Sequence, residues 1–124
     1  MSDKAKLQAI FDRVAAALLE QNEKSVSVVG GNTYCRYRGD GGLKCAAGHL
    51  IPDDLYDAGF ELDGFAQLPE FVLEACGVGE DEKAVDLVLN LQSVHDSFTP
   101  RDWRSRLRQV ANTFCLSAEV LDKL

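Results

Sequence analysis

Residues 35–49 read CRYRGDGGLKCAAGH: Cys35 and Cys45 bracket a glycine-rich turn, and His49 follows four residues after Cys45. With Gly39-Asp40-Gly41 as a three-residue loop, a type I turn closed by a glycine at positive φ, Arg38 faces Gly42 and Tyr37 faces Leu43. Arg36 then faces Lys44, and Cys35 faces Cys45. One face carries Cys35, Tyr37, Leu43 and Cys45; the other carries Arg36, Arg38 and Lys44. A two-residue loop mixes these faces, which side-chain alternation penalises because apolar groups move to water. The spacing therefore predicts a β-hairpin with both cysteines buried and its cations outside.

Upstream, Leu7, Ile10, Phe11, Val14 and Leu18 recur at intervals of three and four, which predicts an amphipathic helix over 4–20. Val26, Val28 and Val29 read as a short strand ended by the turn Gly30-Gly31-Asn32. Downstream, Pro52 with Asp53 and Asp54, and then Pro69 before EFVLEACG, each open a short helix; Gly77 stops the second. A longer helix is expected near 80–97. Another follows over 99–114, with Thr99 as N-cap, Pro100 at the first position and Asp102 near the capping-box position. Its core stripe is Trp103, Leu107, Val110, Ala111 and Phe114, and Ser117 caps a last turn, AEVLDKL. The expectation is an α+β fold: a helix-dominated single domain over 1–124, with five to six helices and a small antiparallel hairpin sheet.

At 124 residues and 46% hydrophobic content, the chain can build one core without help from a disulfide or metal. Its formal net charge of −7 repels phosphate backbones, which argues against nonspecific nucleic-acid binding and suits a basic protein partner. The longest apolar runs are too short to span a bilayer, and MSDKAKLQ has no hydrophobic segment behind its charges. A cytoplasmic location and no membrane partner are expected. In that compartment the four cysteines are free thiols, ligands or core residues sooner than disulfides.

Three segments, CRYRGDGGLKCAAGHLIPDDLY at 35–56, LQSVHD at 91–96 and RDWRSRLRQVANTF at 101–114, together resemble a family of small proteins encoded by bacteriophages and prophages. The likeness covers about residues 7–116. It implies a phage-type accessory protein in the bacterial cytoplasm, and it carries no catalytic mechanism or cofactor. Proteins of that kind often bind and disable a host protein or defence component, an inference by analogy.

Several clusters are candidates for a site. Arg36, Arg38 and Lys44 share the outer hairpin face, and Arg101, Arg104 and Arg108 share a ridge of the late helix. Guanidinium groups suit carboxylates and phosphates, so these cations form the leading candidate surface for a host macromolecule or a small anionic ligand. The ordinary alternative is pairing with the chain's own acids. The acidic stretch 53–82 is the rival surface. Cys45, His49, His95 and Asp96, with Cys35, offer zinc-type ligands, although the cysteines stand further apart than in familiar knuckles. Cys45 beside His49 would make a nucleophile pair, with Asp96 as orienter. His95 falls inside an apolar stripe with Ala84, Val88, Leu91 and Phe98, so it must hydrogen-bond; a structural latch onto the hairpin is the expectation. The leading function is thus non-enzymatic binding of a host protein, with no cofactor and no metal. The alternative is a small-ligand or zinc site, with catalysis as its extension, around Cys45, His49, His95 and Asp96.

Overall fold

The computed structural model describes residues 4–123. Residues 1–3, the beginning of the start read above as lacking an export signal, and residue 124 lie outside the described residues. Helix α1 (Lys4–Gln21) buries the stripe Leu7, Ile10, Phe11, Val14 and Leu18, together with Ala15. It ends at Asn22, whose φ of 52° is one of the few left-handed conformations that a residue other than glycine adopts readily.

The sheet is an antiparallel hairpin of β1 (Val26–Val29) and β2 (Asn32–Cys35). Gly30 and Gly31 connect them at φ 58° and 83°, as a two-residue turn with positive φ at both positions requires. Val26 pairs with Cys35 and Val29 with Asn32. The expected hairpin over 35–45 is therefore corrected. Its backbone is received by side chains from elsewhere. The Tyr37 and Arg38 N–H groups donate to the Glu61 carboxylate at 2.9 and 3.1 Å. The Gln21 amide takes the Lys44 N–H at 3.0 Å and donates to the Lys44 carbonyl at 2.8 Å. One isolated bridge, Arg38 to Lys44, and the Gly39 N–H to Leu43 carbonyl bond of 2.9 Å close the loop.

Helices dominate, as expected, but the described residues hold four α-helices rather than five to six: α1, α2 (Glu70–Ala75), α3 (Glu82–Ser97) and α4 (Pro100–Thr113). IPDDLY makes only a turn, because the Asp57 carboxylate accepts from Gly59 N–H and starts a separate 3-10 turn, Ala58–Leu62. The tail forms a 3-10 turn, Glu119–Asp122, too short to nucleate an α-helix. Asp81 caps α3 by accepting from the Lys83 and Ala84 N–H groups. Thr99 is the N-cap residue of α4, but its hydroxyl makes no capping bond. Gly77 (φ 84°) ends α2, with Val78 N–H reaching back to the Leu73 carbonyl at 3.0 Å. Cys115, at φ 57°, does the same for α4.

The helices α1, α3 and α4 pack on one another around Phe11, Leu18, Leu87, Leu91, Trp103 and Leu107, all fully buried. The turn Ala47–His49 lies against α1 and α3. It can do so because Gly48 has no side chain: a β-carbon there would stand 2.2 Å from the Tyr37 carbonyl oxygen. Among the described residues, no helix is long and apolar enough to cross a membrane.

Candidate functional site

Gln92, His95 and Asp96 project from one face of α3, at spacings of three and four. Gln92 Oε1 accepts the Ala47 N–H at 2.9 Å, and His95 Nε2 accepts the Ser25 N–H at 2.8 Å. Asp96 Oδ1 accepts from Gln92 Nε2 at 2.8 Å and lies 2.7 Å from His95 Nδ1. The imidazole is fully buried and stacks on Trp103, with ring centroids 5.5 Å apart. An amide N–H only donates, so Nε2 is the bare nitrogen. Nδ1 then carries the proton and donates to Asp96. His95 thus holds the start of β1, not the glycine-rich segment.

Ser25, which sequence patterning did not single out, is the counterpart of this strip. It is fully buried. Its N–H goes to His95, its carbonyl accepts the Arg36 N–H at 2.9 Å, and its hydroxyl donates to the Leu43 carbonyl at 3.1 Å. No local pattern marks it; the only signal is that a buried histidine requires a donor or acceptor somewhere.

The structure gathers a different set of metal-type ligands from the one expected. Atoms of Cys35, His95 and Asp96 lie within 4.8 Å of one another, whereas Cys45 and His49 do not join that group. Thiolate, imidazole and carboxylate are zinc donors. The imidazole tautomer opposes the role. Coordination through Nδ1 would displace its proton while Nε2 still faced the Ser25 N–H. Metal-bound histidines normally present the other nitrogen as a donor to an acceptor.

The thiols of Cys35, Cys45 and Cys76 are not activated either. Burial pushes the Cys35 thiol up, and the Asp96 carboxylate, charged and hydrogen-bonded to it, pushes it further. Burial is also the leading cause that takes Cys45 to about 12 and Cys76 to about 11. A reactive cysteine needs the opposite environment. All four cysteines are free; Cys35 is exposed and Cys45 buried, so they do not share the face assigned to them. His49 Nε2 is enclosed without a hydrogen-bond partner, so it does not pair with the Cys45 thiol.

The His49 ring has a consequence for stability. Burial foremost, and then the charges of Lys44, Arg38 and Arg13, lower its pKa from 6.5 to about 4. Between those values the unfolded chain binds a proton that the native state refuses, so stability falls as pH drops from 6.5 towards 4 and this contribution then levels off. Allowing for the ring's partial exposure, the expected loss is about 1–2 kcal/mol. Urea unfolding across that range should show a shallower pH dependence for His49→Gln than for the parent. Identical slopes would assign the effect to other groups.

The cations expected on an open face are mostly engaged. Arg38 forms an ion pair with Asp53, donates to the Ile51 carbonyl at 2.7 Å and lies over the Tyr56 ring. Lys44 reaches the same Asp53 oxygen at 3.4 Å. Arg38 first, and then Lys44, hold that carboxyl below its usual range. Arg108 pairs with Asp122 at 2.9 Å, while Arg101 and Arg104 are exposed. Arg36 instead borders a small polar pocket of about 230 Å³ with Cys35, Glu61, Gln92 and Asp96. Two of the three cations of the expected basic face, Arg38 and Lys44, thus share one carboxylate, Asp53.

A wider groove lies elsewhere. A groove of about 610 Å³ runs between α2 and α3, lined by the apolar side chains of Leu68, Leu73, Val85 and Leu89. Leu89 is 41% exposed, and Phe71, on α2, is 61% exposed. Glu70, Glu80, Glu82 and Asp86 also line this groove. No protein-family model, curated protein or solved structure matches this chain. None of those four acids pairs with a cation among the described residues. The Glu70 carboxyl is raised, first by its hydrogen bond to Glu80 and then by that group's charge. The groove takes in part of the acidic stretch that stood as the rival surface, and only the fold, which sets residues 66–80 beside α3, makes it visible.

Proposed function

We propose that this chain is a non-enzymatic accessory protein of the phage type that acts by docking on a host protein through the groove between α2 and α3. The observation that carries it is the groove itself: an aliphatic wall, of which Leu89 is the exposed member, flanked by acids that have no cation of their own among the described residues. A concave apolar site with a few charged groups at its rim is where a protein receives a partner. The net charge of −7 steers a basic partner towards it. The resemblance of the motifs to phage-encoded proteins agrees with a host target. An enzymatic role finds less support. The Cys35 and Cys45 thiols are pushed up, the His95 imidazole is engaged on both nitrogens, and the cations facing Asp53 are occupied.

The test is affinity capture from a bacterial lysate with the parent chain and two kinds of variant. Leu89→Arg, at an exposed position that should not disturb folding, is expected to reduce capture of the specific partner about tenfold or more. Arg36→Glu and Arg101→Glu are expected to leave it unchanged. Capture that survives Leu89→Arg but is lost with either arginine variant would move the docking surface to the basic side.

A further inference from the structure

We infer that the groove between α2 and α3 is built for a basic amphipathic helix of the partner, with one lysine or arginine seated between Glu70 and Glu80. This rests on the docking role proposed above and names its occupant. The groove walls are aliphatic: Leu68 and Leu73 from one side, Val85 and Leu89 from the other. Val85 and Leu89 are four residues apart on α3, so they line up along one ridge of that helix. A ridge of that spacing receives side chains that recur every third or fourth residue on a facing helix.

Charge decides between occupants. Glu82 and Asp86 are also four apart on α3, which places acids alongside the aliphatic ridge. At the end formed by the start of α2 and the turn before α3, Glu70 and Glu80 both line the groove. Two carboxylates beside one groove favour a cation seated between them. No lysine or arginine of the described chain pairs with either one. A helix with an acidic polar face would bring like charges together along the whole groove. An uncharged one would leave the acids desolvated and unpaired. A basic polar face satisfies them while the apolar face fills the groove.

The probe is a synthetic leucine/lysine peptide with leucines at helical spacing, titrated into the full chain and followed by two-dimensional amide NMR and fluorescence anisotropy. Two companions share its length: a leucine/glutamate peptide of identical spacing, and a leucine/lysine peptide with its order scrambled to abolish the apolar face. The expected result is binding of the first alone, with the largest shifts at Leu73, Val85 and Leu89. Leu89→Arg should weaken it about tenfold or more, and the double variant Glu70→Gln, Glu80→Gln should weaken it several-fold and flatten its salt dependence.

Equal binding of the scrambled peptide, or binding indifferent to Leu89→Arg, would overturn the inference. Failure of the leucine/lysine peptide together with loss of the lysate partner in Leu89→Arg would also overturn it, because the groove would then be a docking site for some other shape. If Leu89→Arg spares both the peptide and the lysate partner, the docking role and this inference fall together.

Discussion

Replacing His95 with alanine is expected to remove about 3–6 kcal/mol of stability. The lost ring leaves the Ser25 N–H buried without an acceptor, which costs about 1–3 kcal/mol. It also opens a cavity beneath Trp103, worth a further 2–3 kcal/mol or so in a rigid core. His95→Leu separates these terms. It fills most of the volume but leaves the amide orphaned, so its expected cost is about 1–3 kcal/mol. The order of unfolding midpoints in urea should therefore be parent, leucine, alanine. Trp103 is the single tryptophan and stacks on the missing ring, so its fluorescence reports the transition directly. An alanine variant as stable as the parent would show that His95 is not a latch, and would return it to the list of candidate ligand residues.

Gly48→Ala should be of similar size for a different reason. The added β-carbon would meet the Tyr37 carbonyl oxygen at 2.2 Å and its carbonyl carbon at 3.0 Å. Those are backbone atoms, and Tyr37 has little room to yield. Its N–H is held by Glu61 at 2.9 Å, and its hydroxyl donates to the Asp63 carbonyl at 2.8 Å. The turn over 47–49 must then lift off, breaking the Gln92–Ala47 bond as well. An expected loss of about 3–5 kcal/mol puts this among the severe substitutions and takes a large share of the 5–15 kcal/mol typical of a domain. Gly42→Ala is the control. Gly42 has φ 79° but nothing within 4 Å of its β-position, so only backbone strain applies, about 1 kcal/mol. Equal effects at the two positions would mean that the close approach to Tyr37 is relieved at little cost.

How much of this was legible beforehand follows from where the information sits. The helices α1, α3 and α4 announce themselves because their contacts repeat along their own sequence. Leu7 to Leu18 and Trp103 to Val110 are stripes that a wheel reveals. His95 could be placed in such a stripe for the same reason, and its need for a partner followed from burial alone. The identity of that partner, Ser25, lies seventy positions away in the chain, where periodicity says nothing. The hairpin was misplaced for a related reason. GDGG looks like a turn between two alternating segments, whereas the turn at Gly30-Gly31-Asn32 reads only as the end of the strand before it. What decides the matter is that Glu61 and Gln21 side chains take the hydrogen-bonding groups a second strand would have used. The cations at 36, 38 and 44 alternate as an outer face should. Nothing in that alternation shows Asp53 standing opposite two of them.

The loop held by those side chains also constrains the order in which the molecule assembles. Its anchors, Gln21, Ser25 and Glu61, with Gln92 holding the adjoining turn, belong to separate parts of the chain. No fragment containing the loop alone can hold it. Contacts of such long sequence separation become favourable only after the intervening chain has been ordered. The segment from Arg36 to Ala47 therefore cannot close before its anchors are in place. Cys45 lies within it and is buried, so the burial of that thiol reports whether the loop sits on those anchors.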